Sequence, residues 1–258
     1  MKIDVLDHGF VRLVESWGKG DAALIRGLEV EFDGHDGNVQ EVEYDNETGI
    51  IEAARQSTQG SFRGWDRDKR LLKYLYENKH STPFEFAGMT IEVKAPIFIF
   101  RQWHRHRTQS YNEASGRYCE LATENYMPTL SRLMSGADKN NTSNNKQAGS
   151  VKDSEGLTEL RAKDFQVLLK VQYEDFEYKY KQALDHGIPK ELARIGMPVG
   201  RYSQMRATAN LRNWLAFLTL RMDPHAQWEI RQFANAVAKV IEQEFPRTYS
   251  LFTENKDG

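Results

Sequence analysis

Residues 159 to 186 commit this chain to at least one long helix. Phe165, Leu168, Leu169, Phe176, Ala183 and Leu184 recur at helical spacing and form one stripe, and Gly187 stands where a helix C-cap belongs. Further helix signals follow. Pro189 opens a short helix through Arg194, and Asn210 caps another carrying Leu211, Trp214, Leu215 and Leu218. Asp223-Pro224 reads as cap and first turn of a last helix, in which Ile230, Phe233, Val237 and Ile241 face inward until Pro246 stops it.

The first half is mixed. Residues 1 to 17 read as a short strand and then an amphipathic stretch with Phe10, Leu13, Val14 and Trp17 at helical spacing. Leu71, Leu72 and Leu75 mark a helix from Lys69 to Tyr76, leading into the turn Lys79-His-Ser-Thr-Pro83. Met89, Ile91 and Val93 alternate with Thr90, Glu92 and Lys94, the period of a half-buried strand. Pro96 suits a helix start that Ile97 to Phe100 continue, although a buried strand fits that apolar run as well. Residues 31 to 50 read as an exposed excursion and 134 to 156 as a surface loop. The expected class is α+β: one domain over 1–258, a small, mostly antiparallel sheet packed with helices, and a helical C-terminal half.

Thirty-five basic residues against 37 acidic ones give a net charge of −2, which argues against nucleic-acid binding by bulk electrostatics. Any anion site must be local. The lone cysteine, Cys119, allows no internal disulfide, and no stretch approaches the roughly 20 apolar residues of a membrane span. The expectation is a soluble, cytoplasmic protein with no membrane partner. Cys and His show no metal-ligand spacing, so no metal is expected. Gly18-Lys-Gly20-Asp-Ala-Ala23 fits a loose dinucleotide pattern but follows an amphipathic, helix-like stretch rather than a strand, and reads as a turn.

Local cation density is greatest from Arg101 to Arg107, where Arg101, His104, Arg105, His106 and Arg107 fall within seven residues. Packing such a run tightly is costly unless anions neutralise it. If residues 105 to 117 are extended, Arg105, Arg107, Gln109, Tyr111, Glu113, Ser115 and Arg117 share one face. Guanidinium groups to pair with phosphate, a carboxylate to accept from hydroxyls or an imide, and a ring to stack would suit a nucleotide. Arg194, Arg212, Arg221 and His225 add cations in the C-terminal half, with Arg212 and Arg221 on different faces of one helix.

The run Arg105-His106-Arg107, with Ser110, Asn112-Glu113, Ser115 and Arg117, resembles the signature of the flavin-dependent thymidylate synthases. Ala53-Ala-Arg-Gln-Ser57, His80-Ser-Thr-Pro-Phe-Glu85, Glu191-Leu-Ala-Arg194 and the segment from Leu220 to Glu229 resemble the family too. Residues 26 to 51 and 134 to 156 lie outside the likeness and look like insertions.

The resemblance implies a homotetramer with active sites shared between subunits. It implies FAD as cofactor, NADPH as reductant, and methylenetetrahydrofolate as carbon donor for converting dUMP to dTMP. By motif position, Ser57, His80, Thr82, Arg105, His106, Arg107, Glu113, Asn210, Arg212 and His225 would touch FAD. Gln102, Trp103, His104, Arg105, Glu113, Ala114, Ser115, Gly116, Arg117 and Arg194 would hold dUMP. Arg221 would activate the uracil, favouring its N3-ionised form. Some members carry an asparagine facing the flavin where this chain has Ala216. With Cys119 outside the motif, the cysteine attack at C6 used by other thymidylate synthases is not expected. Ser115 has no evident base beside it and is assigned a binding role.

Overall fold

The computed structural model describes residues 1–20, 44–134 and 157–254. The expected excursion at 31 to 50 therefore falls outside the described residues up to 43, as does nearly all of the loop at 134 to 156. Among the described residues five strands form one antiparallel sheet: β1 (Lys2–Val5), β2 (Gly9–Trp17), β3 (Gly88–Pro96), β4 (Ser110–Glu113) and β5 (Tyr202–Asn210). Their order across the sheet is β1-β2-β3-β5-β4. The α+β class and the small antiparallel sheet stand as read.

The strand alternation seen at 89 to 94 sorts the sheet into two faces. Met89, Ile91, Val93 and Ala95 are buried with Met205, Ala207 and Ala209 of β5. Thr90, Glu92 and Lys94 lie on the other face, where the Thr90 hydroxyl donates to Thr208 and Arg12 pairs with Glu92. Three helices line the apolar side: α3 (Ile97–Trp103), α7 (Leu211–Arg221) and α8 (Trp228–Glu244). Trp103 stacks on Phe217 at 4.6 Å between ring centres and meets Phe233 edge-on. Pro96 opens α3, which resolves the ambiguity over 97 to 100 in favour of helix. The Asn210 side chain accepts from Asn213 N, the capping bond its position called for.

Several expectations need correction. Residues 9 to 17 are strand, not an amphipathic helix: β2 pairs with β1 and β3, and a bulge between Leu13 and Glu15 breaks its alternation. That extra residue pushes the apolar positions out of period 2 and produces the helix-like spacing. The end of the supposed excursion is α1 (Thr48–Arg55), whose first four residues are buried. α2 (Trp65–Glu77) begins four residues before the expected Lys69. Asp223 does not cap α8, which starts at Trp228; its carboxylate accepts from His225 N instead. Pro246 ends α8 but also opens a further helix, α9 (Pro246–Glu254).

The long helix is present as α5 (Glu159–Asp185), and Gly187 takes a left-handed φ of 80° beyond its end. Gly187 N donates to Leu184 O and Ile188 N to Ala183 O, which closes the helix. Its stripe is not turned into the core. Only Ala162 and Tyr180 of α5 are buried, while Phe165 is 46% and Leu168 62% exposed. The remaining helices are short: α4 (Leu130–Met134) and α6 (Lys190–Ala193), the latter running into a 3-10 turn at Arg194–Gly196.

The turn reading of Gly18 to Gly20 holds for the described part. Gly18 has φ 135° and accepts from Gly49 N, and a Cβ on it would lie 2.0 Å from the Asn46 carbonyl oxygen. Among the described residues no helix is long and apolar enough to cross a membrane.

Candidate active site

The apolar half of the 97–107 segment explains how its cationic half is held. Ile99, Phe100 and Trp103 bury α3, so the chain leaves the core at His104 and the cations that follow emerge beside a fixed anchor. Three bonds pin the emerging turn. Trp103 Nε1 donates to Gln109 Oε1 at 3.0 Å, the Tyr111 hydroxyl donates to His106 O at 2.7 Å, and Asn213 Nδ2 reaches Thr108 O at 3.3 Å. Burial pushes the Tyr111 phenol up to about 12, so it stays a neutral donor.

This geometry corrects the one-face reading. Only Ser110–Glu113 is strand, Arg105 and Arg107 sit in turns, and Gln109 and Tyr111 point inward as buttresses. Trp103 is likewise fully buried, so its indole supports the turn from beneath and has no exposed face. Arg105 and Arg107 are exposed, and among the described residues neither is paired with a carboxylate. His104 is half-buried against Phe100 and Tyr111.

Arg221, at the end of α7, comes back to this turn. Its Nε donates to His106 Nε2 at 2.8 Å and one terminal nitrogen donates to Gln102 O at 3.1 Å. His106 must therefore be neutral, with its proton on Nδ1. Burial, then the charge of Arg221, push its pKa down to about 4. Burial also lowers the Arg221 pKa, yet a guanidinium remains charged at neutral pH. The result is a half-buried cation, aimed by two acceptors, with terminal N–H groups left over for a ligand.

Ser115, Gly116 and Arg117 lie past the far end of β4, where Ala114 N donates to Gln204 O and Glu113 stands half-buried opposite Met205. A Cβ on Gly116 would meet Arg194 Nη1 at 3.2 Å, so glycine lets that guanidinium lie close. Arg117 faces Glu191 at 3.6 Å. The Ser115 hydroxyl accepts from Arg117 N at 3.3 Å, a turn bond rather than activation by a base. Cys119 is exposed, its thiol directed at Ser115 O.

A third group gathers at the start of α7. Thr82 opens the 3-10 turn Thr82–Glu85, α7 packs on that turn, and Arg212 is paired with Glu85. His80 is exposed, edge-on to Tyr74, and Ser57 is exposed after α1 with its hydroxyl on Ala54 O. Ala216 is exposed on α7. Nine residues of helix place Arg212 roughly 14 Å from Arg221 along the axis, and His225 lies beyond Arg221, exposed and bonded to Asp223. Among the described residues the predicted ones thus fall into clusters that do not close one pocket.

Sequence reasoning missed the support behind Gln102. Its Nε2 donates to Gln227 Oε1, Gln227 Nε2 donates to Glu229 Oε2 at 2.8 Å, and Glu229 is held by Arg132 at 2.7 Å and by the Tyr126 hydroxyl at 3.2 Å. Glu229 is 3% exposed. Burial opposes its ionisation, but the bonds and charge of Arg132 outweigh that and hold its pKa below the usual value. The only signal was that Gln227 and Glu229 fall within the family-like segment Leu220–Glu229.

Comparison with known proteins matches the chain to one family. The profile of the family described as thymidylate synthase complementing protein matches residues 39–247. A flavin-dependent thymidylate synthase of Thermotoga neapolitana is 36% identical over 253 residues, covering 98% of this chain and 94% of that protein. Its counterpart in Thermus thermophilus is 36% identical over 257 residues, 99% of this chain and 79% of the relative. Among solved structures, a UMP/dUMP methylase, PolB of Streptomyces cacaoi, bound with 5-Br UMP, superposes with a TM-score of 0.72 at 30% identity, covering 98% and 96% of the two chains.

Proposed function

The chain belongs to the flavin-dependent thymidylate synthase family, and from that premise we propose that it methylates dUMP at C5 to give dTMP. The single observation that carries the reading is Arg221, a half-buried guanidinium held by His106 and Gln102 beside the signature turn. Uracil C5 is a weak nucleophile until negative charge accumulates on the ring. A fixed cation at the N3–O4 edge stabilises that charge in the transition state, an effect worth several kcal/mol in a dry site. Arg221 does this without accepting a proton. Cys119, exposed and turned onto Ser115 O, has no role in it.

The donor set fits FAD. Exposed, unpaired Arg105 and Arg107 can neutralise a pyrophosphate, and Ser57, His80, Thr82, Asn210 and Arg212 offer hydroxyl, imidazole, amide and guanidinium groups around the start of α7. His106, Glu113 and His225 complete the proposed set. FAD, when bound and reduced by NADPH, would supply the hydride, with methylenetetrahydrofolate as the carbon donor. Ser115, Gly116, Arg117, Arg194, Ala114, Arg105 and Gln102 hold dUMP, with His104 and the backbone of Trp103 lining its approach. The three separated clusters and the open stripe of α5 fit a homotetramer whose sites are completed by neighbouring subunits.

Anaerobic NADPH titration tests the redox half of this reading. Purified protein is expected to be yellow and to bleach, and to release dTMP when dUMP and methylenetetrahydrofolate are added. FAD-loaded protein that does not bleach would remove the flavin from the reaction. A second reading, methylation of another pyrimidine nucleotide, is favoured by the relative that takes both UMP and dUMP. Product analysis with each nucleotide separates the two.

A further inference from the structure

The hydrogen bonds behind Gln102 have a direction that one buried charge imposes. Glu229 is ionised and can only accept, so the nitrogen of Gln227, not its oxygen, must face it. That choice turns Gln227 Oε1 toward Gln102, and the Gln102 nitrogen must then face Gln227. One of the two N–H groups of Gln102 is spent on this bond. Its carbonyl oxygen and second N–H are left for a ligand, in a fixed order. Gln102 also lends its backbone carbonyl to Arg221, so the same residue sets the position of the activating cation.

We propose that Gln227 is a positioning residue for nucleotide binding, fixing the orientation of the Gln102 carboxamide from buried Glu229, which Arg132 holds. Gln227 itself need not touch the nucleotide. Arg132 belongs to α4, the last described element before residue 135, so the relay joins that edge of the fold to the substrate side chain. Without Gln227 the carboxamide rotates freely, and ordering it again falls on the nucleotide. The inference rests on the proposed reading that Gln102 holds dUMP.

A double-mutant cycle on FAD-loaded enzyme tests it, with dUMP KM, kcat and flavin content measured for Gln227→Leu, Gln102→Ala and the double variant. Gln227→Leu is expected to raise the dUMP KM about tenfold, the scale of one well-placed hydrogen bond, with kcat and flavin content close to wild type. In the Gln102→Ala background it should add less than about twofold, because the residue it positions is gone. Gln227→Met, close in shape but with no donor and only a weak acceptor, should behave as the leucine variant does and serves if that variant does not fold. Independent, multiplying effects in the double variant, or a dUMP KM unchanged in both the leucine and the methionine variant, would overturn the proposal. Unchanged dUMP KM in Gln102→Ala alone would instead overturn the assignment of Gln102 to the nucleotide.

Discussion

Replacing Asp68 by asparagine is expected to cost the fold about 3 kcal/mol. Asp68 lies at the start of α2 with no exposed surface; one oxygen accepts from Arg55 and the other from Arg63 N at 2.7 Å. Asparagine preserves the shape and one acceptor but removes the charge facing Arg55. That guanidinium is only 15% exposed, and its Nε is already buried without a partner. Breaking a buried pair from one side typically costs 3–5 kcal/mol, and the limited access of Arg55 to water places this case at about the lower end. For a chain of this size the melting point should fall by about 6–12 °C. Urea melts followed by tryptophan fluorescence, at one fixed protein and FAD concentration, measure the loss. A companion pair, Arg55→Met with Asp68→Asn, keeps an acceptor for Arg63 N and should lose less than the single asparagine variant, since no buried cation is left unpaired. A cost under about 1 kcal/mol for Asp68→Asn, or a companion pair that is worse, would refute the account. Because the pair closes the 56 to 64 turn that carries Ser57, weaker FAD retention should accompany the lost stability.

Other outcomes follow from the site. Arg221→Ala should keep its flavin yet form dTMP at least about a hundredfold more slowly, whereas Cys119→Ala should turn over normally; a folded, yellow but inactive Cys119→Ala would restore a thiol mechanism. His106 accepts from Arg221 only when neutral. With its folded pKa depressed to about 4 from an ordinary 6.5, the stability it contributes is complete above about pH 6.5 and is lost as pH falls toward 4. An NMR titration placing His106 near 6.5 in the folded enzyme would contradict that bond. Gly18→Ala puts a Cβ 2.0 Å from a carbonyl oxygen at φ 135° and should destabilise by about 2 kcal/mol or more in a thermal melt. Leu168→Glu on α5 should reduce the assembly state seen by sedimentation while leaving the helix content in circular dichroism unchanged.

Elements whose signals are local were readable in the sequence. Asn210 announced α7, Pro96 announced α3, and the 89 to 94 alternation announced β3. Elements made by distant partners were not. Val14 in the bulge disguised β2 as a helix, and β5, with Ala207 and Ala209 at its buried positions, lacks the bulky β-branched residues that mark a strand. At the site, residue types were legible but orientations were not. Gln109 and Tyr111 belong to the signature and yet face inward, because Trp103 and the carbonyl of His106 need partners there. Alternation alone cannot say which side of an edge strand meets the core. Gln227 was invisible for a related reason: its importance comes from the buried charge of Glu229, and burial is a property of the whole fold.

If the proposed homotetramer covers the open stripe of α5, the fate of this chain is tied to its own abundance. Phe165 and Leu168 of the stripe, with Leu160, Val167 and Val171 of the same helix, all remain in water when the chain stands alone. A face of that kind is neutral to a chain surrounded by copies of itself and hazardous to one that is scarce or newly made. Stability should then follow mass action, with the melting point climbing as the protein is concentrated and sagging on dilution. Enzyme assayed at nanomolar concentration and enzyme studied at micromolar concentration would differ in their fraction of intact assemblies, and so in apparent specific activity. Near or below the concentration at which such assemblies dissociate, a weakly expressed allele would lose more than its share of activity, since halving the number of chains there reduces the number of complete assemblies by more than half.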